Sequence, residues 1–160
     1  MSAHRGIATL ASALMVSYLV LSAMEPEFFL LHFYESLIYL TIVLMLFYFE
    51  DRWAYMVGML TPAVWLILAY GLGMLGGAMR QVSRVMQAQR PTSEVSVMVT
   101  IMTVLSVLLI AFSAYRWKRE YAGLGKGRTT FAVSLGIVLV YYAILIVWFW
   151  RSIPQSITPV

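Results

Sequence analysis

Five stretches of nearly unbroken apolar residues, divided by short polar interruptions, organise this chain. They cover about residues 6–24, 28–49, 53–79, 95–115 and 131–150, and within each the apolar side chains fall on every side of a helical wheel instead of along one stripe. A helix needs about 20 such residues to cross the hydrocarbon of a bilayer. The pattern therefore predicts an all-α membrane protein, a five-transmembrane-helix bundle forming a single domain over residues 1–160. Neither heptads nor an internal repeat is visible.

The interruptions say how the spans connect. Glu25-Pro26-Glu27 and Glu50-Asp51-Arg52 are so short that the helices they join must be antiparallel neighbours, and Pro26 suits the first turn of the second span. The first span is expected to remain as an anchor, because bulky Leu21 occupies the −3 position for signal-peptide cleavage after Ala23. The third span exceeds the necessary length, which predicts tilt or projection, and Pro62 within it predicts a kink near Gly58. On that same span Ala69, Gly73 and Gly77 make a small-xxx-small ladder, which predicts close helix packing inside the chain or in an oligomer.

Residues 80–90 read differently. Met79, Val82, Val85 and Met86 share one side of a helical wheel while Arg80, Arg84 and Gln87 lie on another, the pattern of a short interfacial helix that Pro91 ends. Thr92 or Ser93 is placed to cap the fourth span, with Glu94 beside its positive dipole end, and Thr129 or Thr130 to cap the fifth.

Composition agrees with the pattern: 62% of residues are hydrophobic and 11% charged, which a folded chain in water could not carry. With no cysteine, disulfides, thiolate catalysis, cysteine-ligated zinc and iron–sulfur clusters are excluded within this chain. The net charge of +4 does not point to nucleic acid, because the basic residues sit in the connections between spans. Arg116, Lys118, Arg119, Lys126 and Arg128 instead form a basic segment suited to anionic lipid headgroups. Together with Arg5 and Arg52 they outnumber Arg80, Arg84, Arg90 and Arg151 on the opposite side, so the positive-inside rule places the N-terminus in the cytoplasm. Tyr48, Trp53, Tyr55, Trp117 and Tyr121 would gather at the cytoplasmic level, and Phe28, Phe29, Trp148 and Trp150 at the outer one. The expected location is a bacterial inner (plasma) membrane.

Candidate chemistry concentrates on the second span. Glu35 is the acidic residue set well inside a span, roughly 10 Å below the level of Phe28 at 1.5 Å per residue. An ionised carboxylate facing lipid there is costly, so Glu35 should face other helices, be protonated or pair with a base. His32, Ser36 and Tyr39 extend one polar stripe with it, and Thr100 and Thr103 on the fourth span lie at comparable depth. Ser96, Ser106 and Ser113 continue that hydroxyl row, and Ser17, Tyr18, Ser22, Tyr141 and Tyr142 share the outer and middle layers. These residues predict a polar pocket centred on Glu35 with Arg80, Arg84 or Arg151 as counter-charge at its mouth. The competing explanation is structural: hydroxyl groups commonly join helices in membranes, and a buried Glu can simply hydrogen-bond a Tyr.

Several activities find no support. His4 and His32 belong to opposite ends of the bundle and cannot jointly ligate one haem, which leaves single axial ligation by His32 as the one cofactor role and no metal site expected. The loop Gly123-Leu124-Gly125-Lys126-Gly127-Arg128-Thr129-Thr130 fails the spacing of a phosphate-binding loop. No catalytic set is present, so an enzyme is not expected. The leading expectation is an accessory or structural subunit whose partners are the bilayer and other membrane subunits or copies of itself. The alternative is a small carrier, or a proton- or ion-translocating protein, using Glu35.

Overall fold

The computed structural model describes residues 3–49, 51–87, 93–121, 125 and 127–149, all without strand. Among these residues six α-helices are formed: α1 (Ala3–Met24), α2 (Phe29–Tyr48), α3 (Asp51–Gly71), α4 (Met74–Met86), α5 (Glu94–Tyr121) and α6 (Gly127–Phe149). All but α4 are long and apolar enough to cross a membrane. Glu50, Arg90, Pro91, Thr92, Gly123, Leu124, Lys126, Trp150 and Arg151, which figured in the expectations above, lie outside the described residues.

Each turn has a local cause. Pro26 stops α1 and opens a 3-10 turn over Pro26–Phe28, in which the Phe28 amide donates to the Glu25 carbonyl at 2.9 Å, so α2 begins only at Phe29. Asp51 stands in the first turn of α3, where an acid favours the helix dipole. Ser93 caps α5, its hydroxyl accepting the Ser96 amide at 3.3 Å, and Lys118 and Arg119 complement the other end of that helix.

Three expectations are corrected. The third span does not run to Met79: it stops at Gly71, and Gly73, with φ of 75°, turns the chain into α4. Glycine takes that left-handed conformation without the steric cost a side chain brings, and the Gly73 amide closes the helix end by donating to the Tyr70 carbonyl at 3.0 Å. The ladder of Ala69, Gly73 and Gly77 is thereby broken across two helices. Ala69 is buried in α3, Gly73 sits at the corner with open space where a Cβ would project, and Gly77 belongs to α4 facing Ser96 of α5. The interfacial helix expected at 80–90 begins earlier, at Met74. Its Met79, Val82 and Met86 are exposed on one flank while Ala78 is buried.

The basic segment is also less of a loop than expected. Arg116, Lys118 and Arg119 belong to α5, which extends to Tyr121, and Arg128 belongs to the first turn of α6. Arg116 donates to Glu120 one turn on, at 2.7 Å. Thr130 is buried within α6 and so is no cap. Pro62 lies inside α3, which continues through it.

Helix α3 is the hub, packing against α2, α4, α5 and α6, while α1 packs against α2 and α5. The core between them holds Leu14, Tyr18, Tyr39, Ile42, Met102 and Val138, each almost fully buried. Outward-facing positions are equally apolar: Leu30 is 66% exposed and Val140 60%. The hydrophobic effect in water would not leave such a surface uncovered.

Candidate functional site

Two members of the second-helix stripe, His32 and Glu35, meet at the end of the bundle that carries the α1–α2 turn. His32, buried on the inner face of α2, has Nδ1 3.1 Å from Glu35 Oε2 and Nε2 3.2 Å from Glu25 Oε2. The ring thus lies between two carboxylates. The i, i+3 spacing on α2 supplies the first partner, and the 3-10 turn at Pro26 folds Glu25 back over the helix to supply the second. Side-chain exposure is highest at Glu25, 29%, against 9% at His32 and 14% at Glu35. Glu25 is therefore the solvent-facing end of the row.

This arrangement constrains protons. A neutral imidazole has one N–H and one lone pair, so bonding to both carboxylates requires either an imidazolium or a proton on one carboxyl group. In both descriptions two protons are shared by three groups, leaving a single net negative charge. With both nitrogens engaged, His32 presents no free lone pair for axial ligation of a haem, and no group of three or more metal-ligating side chains is formed among the described residues.

The row lines a partly open cavity of about 290 Å³ to which every helix contributes residues. Its walls are otherwise apolar and aromatic, with Trp65 from α3, Phe28 from the turn and Met102 from α5. Tyr18 of α1 and Tyr142 of α6 also line it. Tyr18 stacks on Tyr39 at 5.5 Å between ring centroids and meets Trp65 edge-on at 6.5 Å, so the aromatic wall is one packed unit. The Tyr142 hydroxyl donates to the Thr61 carbonyl at 3.4 Å, tying α6 to α3.

The other expected members are placed apart from the cavity. Ser36 is buried and donates to the Phe33 carbonyl at 2.6 Å. Thr100 and Thr103 donate to the carbonyls of Ser96 and Val99 on their own helix, at 2.9 and 2.7 Å, so α5 gives the cavity only apolar side chains. Tyr39 is fully buried beside the hydroxyls of Tyr18 and Tyr142, with no directed hydrogen bond of its own. Arg80 is exposed on α4, and the base that meets Glu35 is His32, in place of the expected arginine. Of the expected tyrosines, Tyr141 stacks on Tyr34 at 4.5 Å, and each donates to the other's carbonyl, joining α6 to α2 outside the cavity.

Glu25 and Trp65 are the site residues that the sequence pattern did not bring forward. Glu25 stands seven residues before His32, two helical turns away, a spacing that signals a shared face only if the intervening turn keeps helical register. At the opposite end of the bundle His4 has a different setting, 3.3 Å from the Tyr55 hydroxyl and 3.6 Å from Asp51. Compared with protein-family models, with curated proteins and with solved structures, the chain matches none.

Proposed function

We propose that this chain is a small multi-pass membrane carrier of five transmembrane helices, with its N-terminus in the cytoplasm of a bacterium and the bilayer of the inner membrane as its solvent. The apolar outward faces of its long helices support the membrane setting, since a helix pairs most of its backbone polar groups internally and so can lie in hydrocarbon. The charge bias of the connections supports the orientation.

One observation carries the carrier reading: a cavity inside the bundle whose ionisable wall, among the described residues, is the Glu25–His32–Glu35 row and its neighbouring tyrosines. Ionisable groups at such depth are costly to maintain, and a purely structural bundle of the same helices would fill that space with side chains. The row shares protons among its members and opens toward solvent at Glu25, which suits a group that loads and releases an ion or proton. Reconstitution into proteoliposomes tests this. Proton or ion flux should depend on the protein and fall sharply for Glu35→Gln; equal flux for the two proteins removes the carrier.

A second reading, an accessory subunit, is favoured by a separate feature, the exposed flank of Met79, Val82 and Met86 on α4. Such a flank suits either the membrane interface or another protein's helix. Mass measurement of the native particle after mild-detergent extraction separates these: a stable hetero-complex supports the subunit, a particle of this chain alone the carrier.

A further inference from the structure

The shape and charge of the cavity narrow what it would carry. Its walls are hydrocarbon and aromatic rings, while its polar side holds two carboxylates and a single base. With both ring nitrogens bonded, the row retains one uncompensated negative charge in a setting of low dielectric, where only another proton or a cation can neutralise it. An anion would meet repulsion, and a small hydrated cation would have to surrender its water to an apolar wall.

Among the described residues, the surrounding elements leave that charge unopposed. From α1 and α6 the titratable groups facing the row are the hydroxyls of Tyr18 and Tyr142; from α3, α4 and α5 the cavity receives Trp65, Met74 and Met102, with no base among them. Trp65 and Tyr18 bring to the cavity wall aromatic rings, a residue type whose quadrupole attracts organic cations.

We propose that the cavity takes a lipophilic monovalent cation, its charged head against the Glu25–His32–Glu35 row and its apolar body against Trp65, Phe28 and Met102, in exchange for one proton. The exchange balances: the row with three protons is neutral, loss of one leaves a single negative charge, and the cation restores neutrality. No bond other than the departing O–H or N–H is broken. This inference rests on the carrier reading and gives it a substrate class.

Binding to the purified full-length protein in nanodiscs tests it, with benzyltrimethylammonium as the cation, neopentylbenzene as its neutral carbon isostere and benzylsulfonate as the anion. The cation should bind at least about tenfold more tightly than either control. Its affinity should weaken as the pH is lowered, approaching about tenfold per pH unit where one proton competes with one cation. Glu35→Gln should remove that pH dependence, and Glu25→Gln, at the more exposed end of the row, should reduce it while preserving the fold by circular dichroism. If the isostere or the anion binds as tightly as the cation, the charge class is overturned and the cavity remains a carrier site. If no probe binds but Glu35-dependent proton flux persists in vesicles, the cation is overturned and the carrier stands; if binding and flux are both absent, both readings fall.

Discussion

A side chain at Gly58 would begin where Ser113 already is: a Cβ at position 58 of α3 lies 3.0 Å from the Ser113 hydroxyl oxygen on α5. Both residues are buried, so the serine has little room to yield. The two positions should therefore be coupled. In a double-mutant cycle read by thermal unfolding in detergent, Gly58→Ala should cost about 1 kcal/mol more in the natural background than in Ser113→Ala. Simple additivity would show that the helices do not meet as described.

Thr61 offers an isosteric probe of the core. Its hydroxyl is fully buried on α3 with no hydrogen-bond partner among the described residues. Replacing an unsatisfied hydroxyl by a methyl group removes a desolvation cost of about 1–3 kcal/mol. Thr61→Val should consequently leave the midpoint of thermal unfolding unchanged or raise it. A clear fall would mean that the hydroxyl has a partner, such as a bridging internal water.

Neighbouring glycines at the α3–α4 corner should respond in opposite directions. Gly73 holds φ at 75°, where Ala is disfavoured by about 1–2 kcal/mol, whereas Gly76 lies inside α4 with open space around its missing Cβ. Gly73→Ala should destabilise the protein, with Gly73→Asn milder, and Gly76→Ala should stabilise it by up to about 1 kcal/mol. Unfolding midpoints for the three variants are the measurement, and equal effects of Ala at both sites would contradict the corner.

Much of this was legible in the order of apolar and polar residues, because a helix that satisfies its own backbone needs only length and hydrophobicity to be recognised. His32 and Glu35 were likewise legible as a pair, being three residues apart on one helix. The break at Gly73 was not: residues 72–79 stay apolar and small, and the glycine that seemed to continue a packing ladder is the one whose backbone turns the chain. Thr100 and Thr103 were misplaced for a related reason. Depth along a helix does not say which way a hydroxyl reaches: both bond the carbonyl four residues earlier, and the cross-helix contact of Thr100 goes to the Ala78 carbonyl of α4, away from the cavity. Glu25 escaped because its partnership depends on the rotation introduced by the Pro26 turn, a three-dimensional quantity that spacing alone leaves open.

The His32 row predicts an order of substitutions. His32→Leu leaves two carboxylates facing each other without their shared base, which should be the most damaging change, on the order of 3 kcal/mol if both stay charged. Glu35→Gln should cost less, since an amide can still hydrogen-bond the ring, and Glu25→Gln least, because its carboxylate is the most exposed of the row. Denaturation in detergent ranks them, and a His32→Leu protein as stable as the natural one would refute the row.

The corner at Gly73 also decides what frames the cavity. By ending α3 early it brings Met74, the first residue of α4, to the cavity wall where a longer helix would have carried the chain past it. An unbranched thioether side chain swings through several rotamers at small cost, unlike the rigid rings deeper in. Met74 therefore supplies one adaptable side to a cavity whose Tyr18 and Trp65 rings are fixed by their mutual packing, so any give in its outline is confined to the edge that the corner contributes.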